Sequence, residues 1–219
     1  MYKNNQKVIF GLMNDPNGID SAVWRDICNQ VIVAIRQTRA NNLVLVPPVQ
    51  WSRVHTWSAD GYGTPNSVGM LGIVDSANNF AYEVHQFLNP EGSGLTDDCV
   101  GPNIGEQFLT EFTAWCRQHG FKAILTEMGI ANNDGCRVAL TNLLTWLDAN
   151  ANVWSGWTWW SAGPMQVDWS YSLQPKNDGA TLVDKPQLAL LLPHLAAAPV
   201  PQSNPVGAVL FFIYIFFEA

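Results

Sequence analysis

Charged side chains are scarce in this sequence. Asp, Glu, Lys and Arg together make up 13% of its 219 residues, about half the share found in an average soluble protein. The 18 acidic residues outnumber the 11 basic ones, which gives a net charge of −7. Nucleic acids and anionic membranes attract clusters of Lys and Arg. The shortage of basic residues therefore argues against both classes of partner and leaves neutral ligands open.

The sequence also lacks an apolar run long enough to cross a membrane as a helix. Its longest run, residues 206–217, falls well short of the roughly 20 residues that a span needs. We expect residues 1–197 to form one domain and residues 198–219 to be a proline-rich linker with an apolar tail. That tail is predicted to form an aggregation-prone strand or to dock on exposed core. Residues 1–7 are polar and do not have the pattern of a signal peptide.

Cysteine motifs for metal binding are absent as well. The four cysteines include no CxxC pair and no zinc-ligand spacing, so the sequence predicts no metal site. Cys99 and Cys136 lie in loops rich in Gly, Asn and Asp, where a disulfide is open to them if the compartment is oxidising. Cys28 and Cys116 fall in helical patterns and are expected to be buried thiols.

Tryptophan is the residue type in excess, with ten copies. Packing inside a core accounts for some of them. An excess of this size also fits a cleft in which indole faces stack on sugar rings, because an aromatic face offers wide apolar contact and one polar edge. Trp51 and Trp57 fall in a long polar loop, where lining of a distant subsite and packing are equally supported.

Apolar runs alternate with amphipathic segments along the chain. Strands are predicted at 8–14, 43–47, 81–87, 122–127 and 153–160, and helices at 22–38, 106–119, 135–149 and 186–196. Strands that alternate with helices predict a parallel sheet. Five units are too few to close a (β/α)₈ barrel. The pattern therefore fits either an open sheet or the latter part of such a barrel.

Two of the predicted strands end near a carboxylate. Asp15 follows the first strand and Glu127 closes the fourth. Parallel strands of a barrel bring their C-terminal ends to one face, and glycosidases need a pair of carboxyl groups. The alternative for Asp15 is a turn residue, since Asn-Asp-Pro-Asn-Gly is strong turn chemistry by itself. The alternative for Glu127 is an acid that caps a neighbouring helix.

Several stretches, in this order, resemble the family 5 glycoside hydrolases, specifically the fungal-type endo-β-1,4-glucanases. They are VIFGLMNDP, NLVLVPPVQW, YEVHQFLNPEGSG, ILTEMG and GWTWWSAGP, within residues 8–175. The resemblance implies an α/β fold of the (β/α)₈ TIM-barrel type that lacks the first three β/α units and contains strands four to eight. It also implies retaining hydrolysis of internal β-1,4-glucosidic bonds in cellulose-like glucans, no cofactor or metal, and an extracellular location.

The resemblance assigns roles to five residues. Glu127 corresponds to the nucleophile, and Asp15 occupies the position of the general acid/base. Asn14 is implied to hold the substrate 2-hydroxyl, and His85 matches the histidine at the end of the sixth barrel strand. Trp160 matches the tryptophan that floors the sugar subsite next to the cleaved bond.

Two further expectations concern cysteines and tryptophans. The resemblance implies a disulfide between Cys99 and Cys136. Strand alternation places Trp157 and Trp159 on the side opposite Trp160. We therefore expect Trp160 to face the sugar and the other two to pack under the outer helices.

The sequence departs from the family pattern at two of these places. The family has Glu where Asp15 stands, and its His-x-Tyr motif ends here in Phe87. Asp is one methylene shorter, so its carboxyl retreats by roughly 1–1.5 Å, and about 1 Å of misplacement can cost on the order of 10²-fold in rate. The phenol missing at Phe87 would donate a hydrogen bond to the nucleophile. The absent units would also carry the family's arginine and a second histidine.

Two other interpretations stay open beside the enzyme. The first is a non-catalytic glucan-binding remnant, in which tryptophans hold sugar without turnover. The second is an incomplete chain that does not fold alone. Exposed edges of an incomplete barrel also predict self-association.

Overall fold

Five short strands form one parallel sheet in the order of the chain. They are β1 (Phe10–Gly11), β2 (Val44–Val46), β3 (Phe80–His85), β4 (Ala123–Glu127) and β5 (Trp154–Trp157). This computed structural model describes residues 1–177, 179 and 182–195. A doubly wound sheet would reverse its strand order at a switch point. The sequential order seen here is instead that of an arc of a (β/α)₈ barrel.

Helices connect the strands of this sheet. They are α1 (Ser21–Gln37), the short α2 (Asn66–Gly69), α3 (Ile104–His119) and α4 (Asp134–Ala149). Asp20 begins α1, because its carboxylate accepts hydrogen bonds from the backbone N–H groups of Ala22 and Val23. Asn133 begins α4 in the same way. Gly120 ends α3 in the left-handed conformation, with φ of 74°.

The predicted parallel sheet and the three long helices are confirmed, but several bounds differ. The first strand was predicted over 8–14 and is only Phe10–Gly11, because only these two residues pair in register with β2 and the chain bends at Asn14 and Asp15. The last sheet strand ends at Trp157 rather than at 160. The helix predicted over 186–196 is reduced to α5 (Leu188–Leu191) and a following 3₁₀ turn that contains Pro193.

An antiparallel hairpin was missed by the sequence analysis. It is formed by β6 (Lys176–Asn177) and β7 (Leu182–Val183) in the stretch predicted as a loop. Strands of two residues carry too little alternation to stand out from turn residues.

The two faces of the sheet are packed differently. Val44, Val46, Tyr82, Val84 and Leu125 point to the helices and join one large buried core. The opposite face has only Leu45, Ala81 and Ile124 as buried apolar residues, packed on Ile9 and Leu43. On β3 and β4 this second face continues, by alternation, into polar side chains near the C-terminal ends. The helices therefore cover one face, and the other face leads to the site.

Part of the tryptophan excess lies in the helix-side core. Trp57 is completely buried, and its ring lies 4.7 Å from the ring centroids of Phe112 and Trp115. Trp57 therefore packs in the core and lines no subsite.

The structure confirms the disulfide between Cys99 and Cys136, whose Cα atoms are 5.2 Å apart. Cys28 and Cys116 are buried free thiols, as expected. Burial raises the pKa of Cys28 to about 12 and that of Cys116 further still. Neither thiol ionises near neutral pH.

Removing the disulfide should weaken the fold. The bond spans 37 positions of sequence, and closing a loop of that length stabilises a chain by about 2–4 kcal/mol. The double variant Cys99→Ser/Cys136→Ser should lose about that much free energy of unfolding in a urea titration. A loss below about 0.5 kcal/mol would show that the loop is held by its other contacts.

The outer edge of β1 borders an apolar cavity of about 730 Å³. Its lining includes Phe10, Leu12, Val31 and Ile35 and has no carboxylate, so it does not offer the pair of carboxyl groups that a glycosidase needs. The apolar tail of residues 206–217 lies outside the described residues. Among the helices that are described, none has the length and apolar character to cross a membrane.

Candidate active site

The C-terminal edge of the sheet brings the sequence-predicted residues together. Asp15 follows β1, His85 ends β3, Glu127 ends β4 and Trp160 follows β5. Three of them line a cavity of about 330 Å³, at the low end of the range for ligand sites. Its lining is Asn14, Asp15, Phe87, Ser93, Gly94, Leu95, Glu127, Trp160 and Trp169. Parallel strands thus deliver two carboxylates and an indole to one cavity.

His85 joins the two carboxylates. Its Nδ1 lies 2.9 Å from Asp15 Oδ1 and 3.6 Å from Glu127 Oε2. Since both oxygens are this close to one nitrogen, they are at most about 6.5 Å apart. Carboxyl groups about 5–5.5 Å apart are typical of retaining glycosidases, and inverting enzymes need about 6.5–9.5 Å. The upper bound therefore favours the retaining geometry.

His85 is only 3% exposed and has acidic neighbours on both sides of its ring. Its Nε2 lies 3.8 Å from the buried Glu83 Oε1. Burial works against the charged ring, but the hydrogen bond with Asp15 and the nearby carboxylates of Glu83 and Glu127 outweigh it. Together they raise the pKa of His85 to about 9. The imidazole is therefore a cation at neutral pH, held between carboxylates.

Glu127 is 7% exposed, so its carboxyl is poorly solvated. Burial raises its pKa to about 7. The positive charge of His85 acts in the opposite direction, and the charges of Asp15 and Glu83 add to the rise. Near neutral pH this carboxyl is close to half ionised.

Asp15 sits in a strained backbone conformation, with φ of 49°. Asp and Asn are among the few non-glycine residues that adopt this region readily, because their short polar side chains can bond locally. Here Asn14 Nδ2 donates to Asp15 Oδ2 at 3.3 Å. Asp15 is thus both a turn residue, as its Asn-Asp-Pro-Asn-Gly context predicts, and a residue of the site.

Phe87 lies at the wall of the cavity beside Glu127. Its ring packs 5.9 Å from the ring of Tyr171 and against the backbone at Gly94, where an added Cβ would come within 2.9 Å of the phenyl ring. The side chain offers no hydrogen-bond donor to the carboxylate beside it.

The tryptophans after β4 divide as alternation predicts. Trp160 is 39% exposed and faces the cavity together with Trp169. Trp157 and Trp159 are partly buried and pack against the helix-side core. Trp159 Nε1 also donates to the carbonyl of Tyr171.

Several residues of the site were missed by the sequence analysis. Glu83 is two positions before His85 on an otherwise apolar strand, and this spacing alone would have placed both on one face. Trp169 and Ser93 lie on loops, where no periodic pattern points to them. Arg53 lines a second depression beside Asp15 and Glu127. Within the described part of the chain, no group of three or more His, Cys, Asp or Glu side chains is arranged to hold a metal ion.

Comparison with known proteins shows which family this chain matches. The model of the family described as Cellulase (glycosyl hydrolase family 5) matches residues 1–163. An endoglucanase of Neurospora crassa is 34% identical over 177 residues, which are 80% of this chain and 44% of that protein. A probable endo-β-1,4-glucanase B of Neosartorya fischeri is 31% identical over 195 residues, which are 89% of this chain and 56% of that protein. The chain spans about half the length of the curated relatives it matches.

Solved structures agree with the sequence matches. An endo-β-1,4-glucanase of Xanthomonas axonopodis pv. citri superposes with a TM-score of 0.84 at 40% identity, over 88% of this chain and 61% of that chain. XacCel5A in complex with cellopentaose gives the same TM-score and identity, over 89% of this chain and 61% of that one. Cel5A of Hypocrea jecorina has a TM-score of 0.76 at 25% identity, over 87% and 57% of the two chains.

Proposed function

Since this chain belongs to the cellulase family, glycosyl hydrolase family 5, we propose that it hydrolyses internal β-1,4-glucosidic bonds in cellulose-like glucans. One observation carries the proposal. The oxygens of Asp15 and Glu127 share His85 Nδ1 as a neighbour, at a spacing that favours retention, in a cavity with an exposed indole. The complex of XacCel5A with cellopentaose supports a β-glucan oligosaccharide as the ligand of this cavity.

The chemistry follows the two carboxyl groups. Glu127 attacks the anomeric carbon and forms a covalent glycosyl-enzyme, while Asp15 protonates the leaving oxygen and then activates water. Asn14 holds the substrate 2-hydroxyl, and Trp160 stacks on the sugar next to the cleaved bond.

His85 contributes the proton that Asp15 needs. At neutral pH the ring is protonated and bonded to Asp15 Oδ1. As negative charge develops on the leaving oxygen, a proton moves from His85 Nδ1 through Asp15 to that oxygen, which leaves the ring neutral and Asp15 a carboxylate. When water attacks the glycosyl-enzyme, the Asp15 carboxylate accepts a proton from it and passes this proton to His85 Nδ1, which restores the charged ring. The same ring holds the position of the two carboxylates relative to each other.

Release of reducing ends from a soluble β-1,4-glucan tests this function. The purified chain and its Glu127→Ala variant are measured side by side, after near-UV circular dichroism has shown that both are folded. Release that the variant lacks would support the proposal. Equal release by both proteins, or none by either, would overturn catalysis at this site.

The activity should depend on pH as a bell. Glu127 must be ionised to attack, so kcat/KM should rise as pH increases through about 7. His85 must be protonated to supply the proton, so kcat/KM should fall as pH increases through about 9. The two limbs of the profile report apparent pKa values, which belong to the interacting set of Asp15, His85 and Glu127 rather than to one residue. A pH–rate profile with its maximum below pH 6 would contradict these roles.

A phenol at position 87 should shift the acidic limb of the pH profile of kcat/KM. In Phe87→Tyr, a hydroxyl beside Glu127 can donate to the ionised carboxylate, which favours the charged form. We expect the acidic limb of kcat/KM to move down by about one pH unit, the effect of one hydrogen bond to a charged group. Phe87→Leu is the control without a donor and should leave the limb in place. An unchanged limb in Phe87→Tyr would show that the new hydroxyl does not reach Glu127.

A non-catalytic glucan-binding protein is the second candidate. The short acid at Asp15, the pKa of about 7 at Glu127 and the missing phenol at Phe87 favour it. Binding without chemistry predicts measurable affinity for cellotetraose that Glu127→Gln leaves unchanged, together with no turnover. Calorimetry and the reducing-end assay on the same preparations separate the two candidates.

Three further properties are part of the proposal. The five strands correspond to strands four to eight of the barrel, within a domain of residues 1–197. The protein is extracellular, which the Cys99–Cys136 disulfide supports because such bonds persist in oxidising compartments.

Copies associate through the open sheet edges at β1 and β5. Sedimentation velocity over a range of concentrations tests the association, and a single monomeric species throughout would refute it.

A further inference from the structure

A second depression also borders the catalytic pair. Its volume is about 80 Å³. It shares Asp15, Phe87, Ser93 and Glu127 with the larger cavity and adds Trp51, Arg53, His85 and Gly92. The two carboxylates therefore border two recesses, one with Trp160 and one with Trp51 and Arg53.

The segment that carries Trp51 is held in an unusual conformation. Gln50, Trp51 and Ser52 have φ values of 66°, 57° and 56°. Positive φ is uncommon for any residue with a side chain and a genuine outlier for a bulky one. Strain of this kind persists only where surrounding structure enforces it, and it is concentrated at ligand and active sites.

Backbone hydrogen bonds tie this strained segment to the catalytic strands. The N–H of Trp51 donates to the carbonyl of Pro16, next to Asp15, at 3.2 Å. The N–H of His85 donates to the carbonyl of Ser52 at 2.8 Å. Trp51 is thus fixed relative to both Asp15 and His85, and yet it remains 41% exposed. An exposed indole that is positioned at this cost in strain is available to a ligand.

Arg53 lies over this indole. Its guanidinium carbon is 4.9 Å from the centroid of the Trp51 ring. Arg25, Arg36 and Arg137 each pair with an aspartate. Arg53 has no carboxylate within 4.0 Å among residues 1–177, 179 and 182–195, and its guanidinium donates no hydrogen bond to any of them. Contact with the Trp51 ring positions the guanidinium and leaves its N–H groups free for a ligand.

We propose that Trp51 and Arg53 form a subsite for a sugar that carries a carboxylate, such as a glucuronosyl residue within a β-glucan. The indole face offers apolar contact to the sugar ring, and the planar guanidinium matches a carboxylate with two parallel hydrogen bonds. This inference rests on the proposed function, because it places an acidic sugar next to the catalytic pair. It adds a preference for glucans that carry a carboxylate, a group that cellulose itself does not contain.

Calorimetry with neutral and acidic ligands tests the subsite. The ligands are cellotetraose and two analogues with a glucuronosyl residue at the reducing or at the non-reducing end. Wild type should bind one of the two analogues about tenfold more tightly than cellotetraose, and the preference should shrink as salt is raised. Arg53→Gln should abolish the preference, so that the variant binds the acidic analogue and cellotetraose equally tightly. Arg39→Gln, which removes the same charge from an exposed position away from the site, should keep the preference.

The outcomes separate this inference from the proposed function. Binding of cellotetraose without any preference for an acidic analogue would overturn the subsite and leave the glucan site standing. A preference that persists in Arg53→Gln would overturn the role of Arg53. Failure of a folded chain to bind any of the three ligands would count against both proposals.

Discussion

Replacement of Glu127 with Ala should reduce hydrolysis of an aryl β-cellobioside by roughly 10⁴-fold or more, the scale seen when a nucleophile is removed from a catalytic group. The remaining carboxyl, Asp15, can still assist departure of the leaving group, but no group is left to form the covalent intermediate. Sodium azide should then restore part of the rate, because the small anion enters the space left by the carboxyl. Its product should be the α-configured glycosyl azide, since azide attacks from the side that Glu127 occupied.

A matched carboxylate variant controls for loss of charge. Glu106 lies in the first turn of α3, exposed and away from the cavity, and Glu106→Ala should keep full activity. Retention of more than about one per cent of the wild-type rate in Glu127→Ala would show that another group performs the attack. An azide product of β configuration would place Glu127 in the acid/base role instead.

Lengthening the acid should make the enzyme faster. Asp15→Glu moves the carboxyl forward by roughly 1–1.5 Å, and misplacement of about 1 Å can cost on the order of 10²-fold. We therefore expect kcat/KM on a soluble β-1,4-glucan to rise by up to about 10²-fold. The gain should be smaller on an aryl cellobioside with an acidic phenol as leaving group, because such a group needs less help from a proton donor.

The same substitution should lower stability. The backbone at position 15 has φ of 49°, a region that Asp tolerates better than Glu. A free-energy loss on the order of 1 kcal/mol is expected in urea unfolding. Asp15→Asn keeps the backbone preference without the acid and should be less active than wild type at full stability. Wild-type rates in both variants would show that position 15 supplies no proton.

The sequence was sufficient to predict part of the site. Asp15 and Glu127 stand at or after the ends of apolar runs, and the geometry of parallel strands brings such ends together. His85 and Trp160 were implied by family resemblance alone. Family resemblance added the pairing of Cys99 with Cys136, which the spacing of four cysteines alone left open.

Other features depend on contacts that no local pattern encodes. The two-residue spacing of Glu83 and His85 places both on one face, but the distance of 3.8 Å between their side chains requires the structure. The recess of Trp51 and Arg53 exists because three consecutive residues adopt positive φ, in a segment whose sequence has no glycine to indicate it. The pKa values of His85 and Glu127 arise from mutual burial and charge, which require the distances between them.

Covalent trapping tests the central claim most directly. A 2-deoxy-2-fluoro-β-cellobioside with a dinitrophenyl leaving group slows hydrolysis of the glycosyl-enzyme, so that a working nucleophile becomes labelled. Intact-protein and peptide mass spectrometry should then find one 2-deoxy-2-fluorocellobiosyl group, attached to the peptide that contains Glu127 and missing in Glu127→Gln. A folded chain that binds cellotetraose but carries no label, or carries it on another residue, would contradict the account.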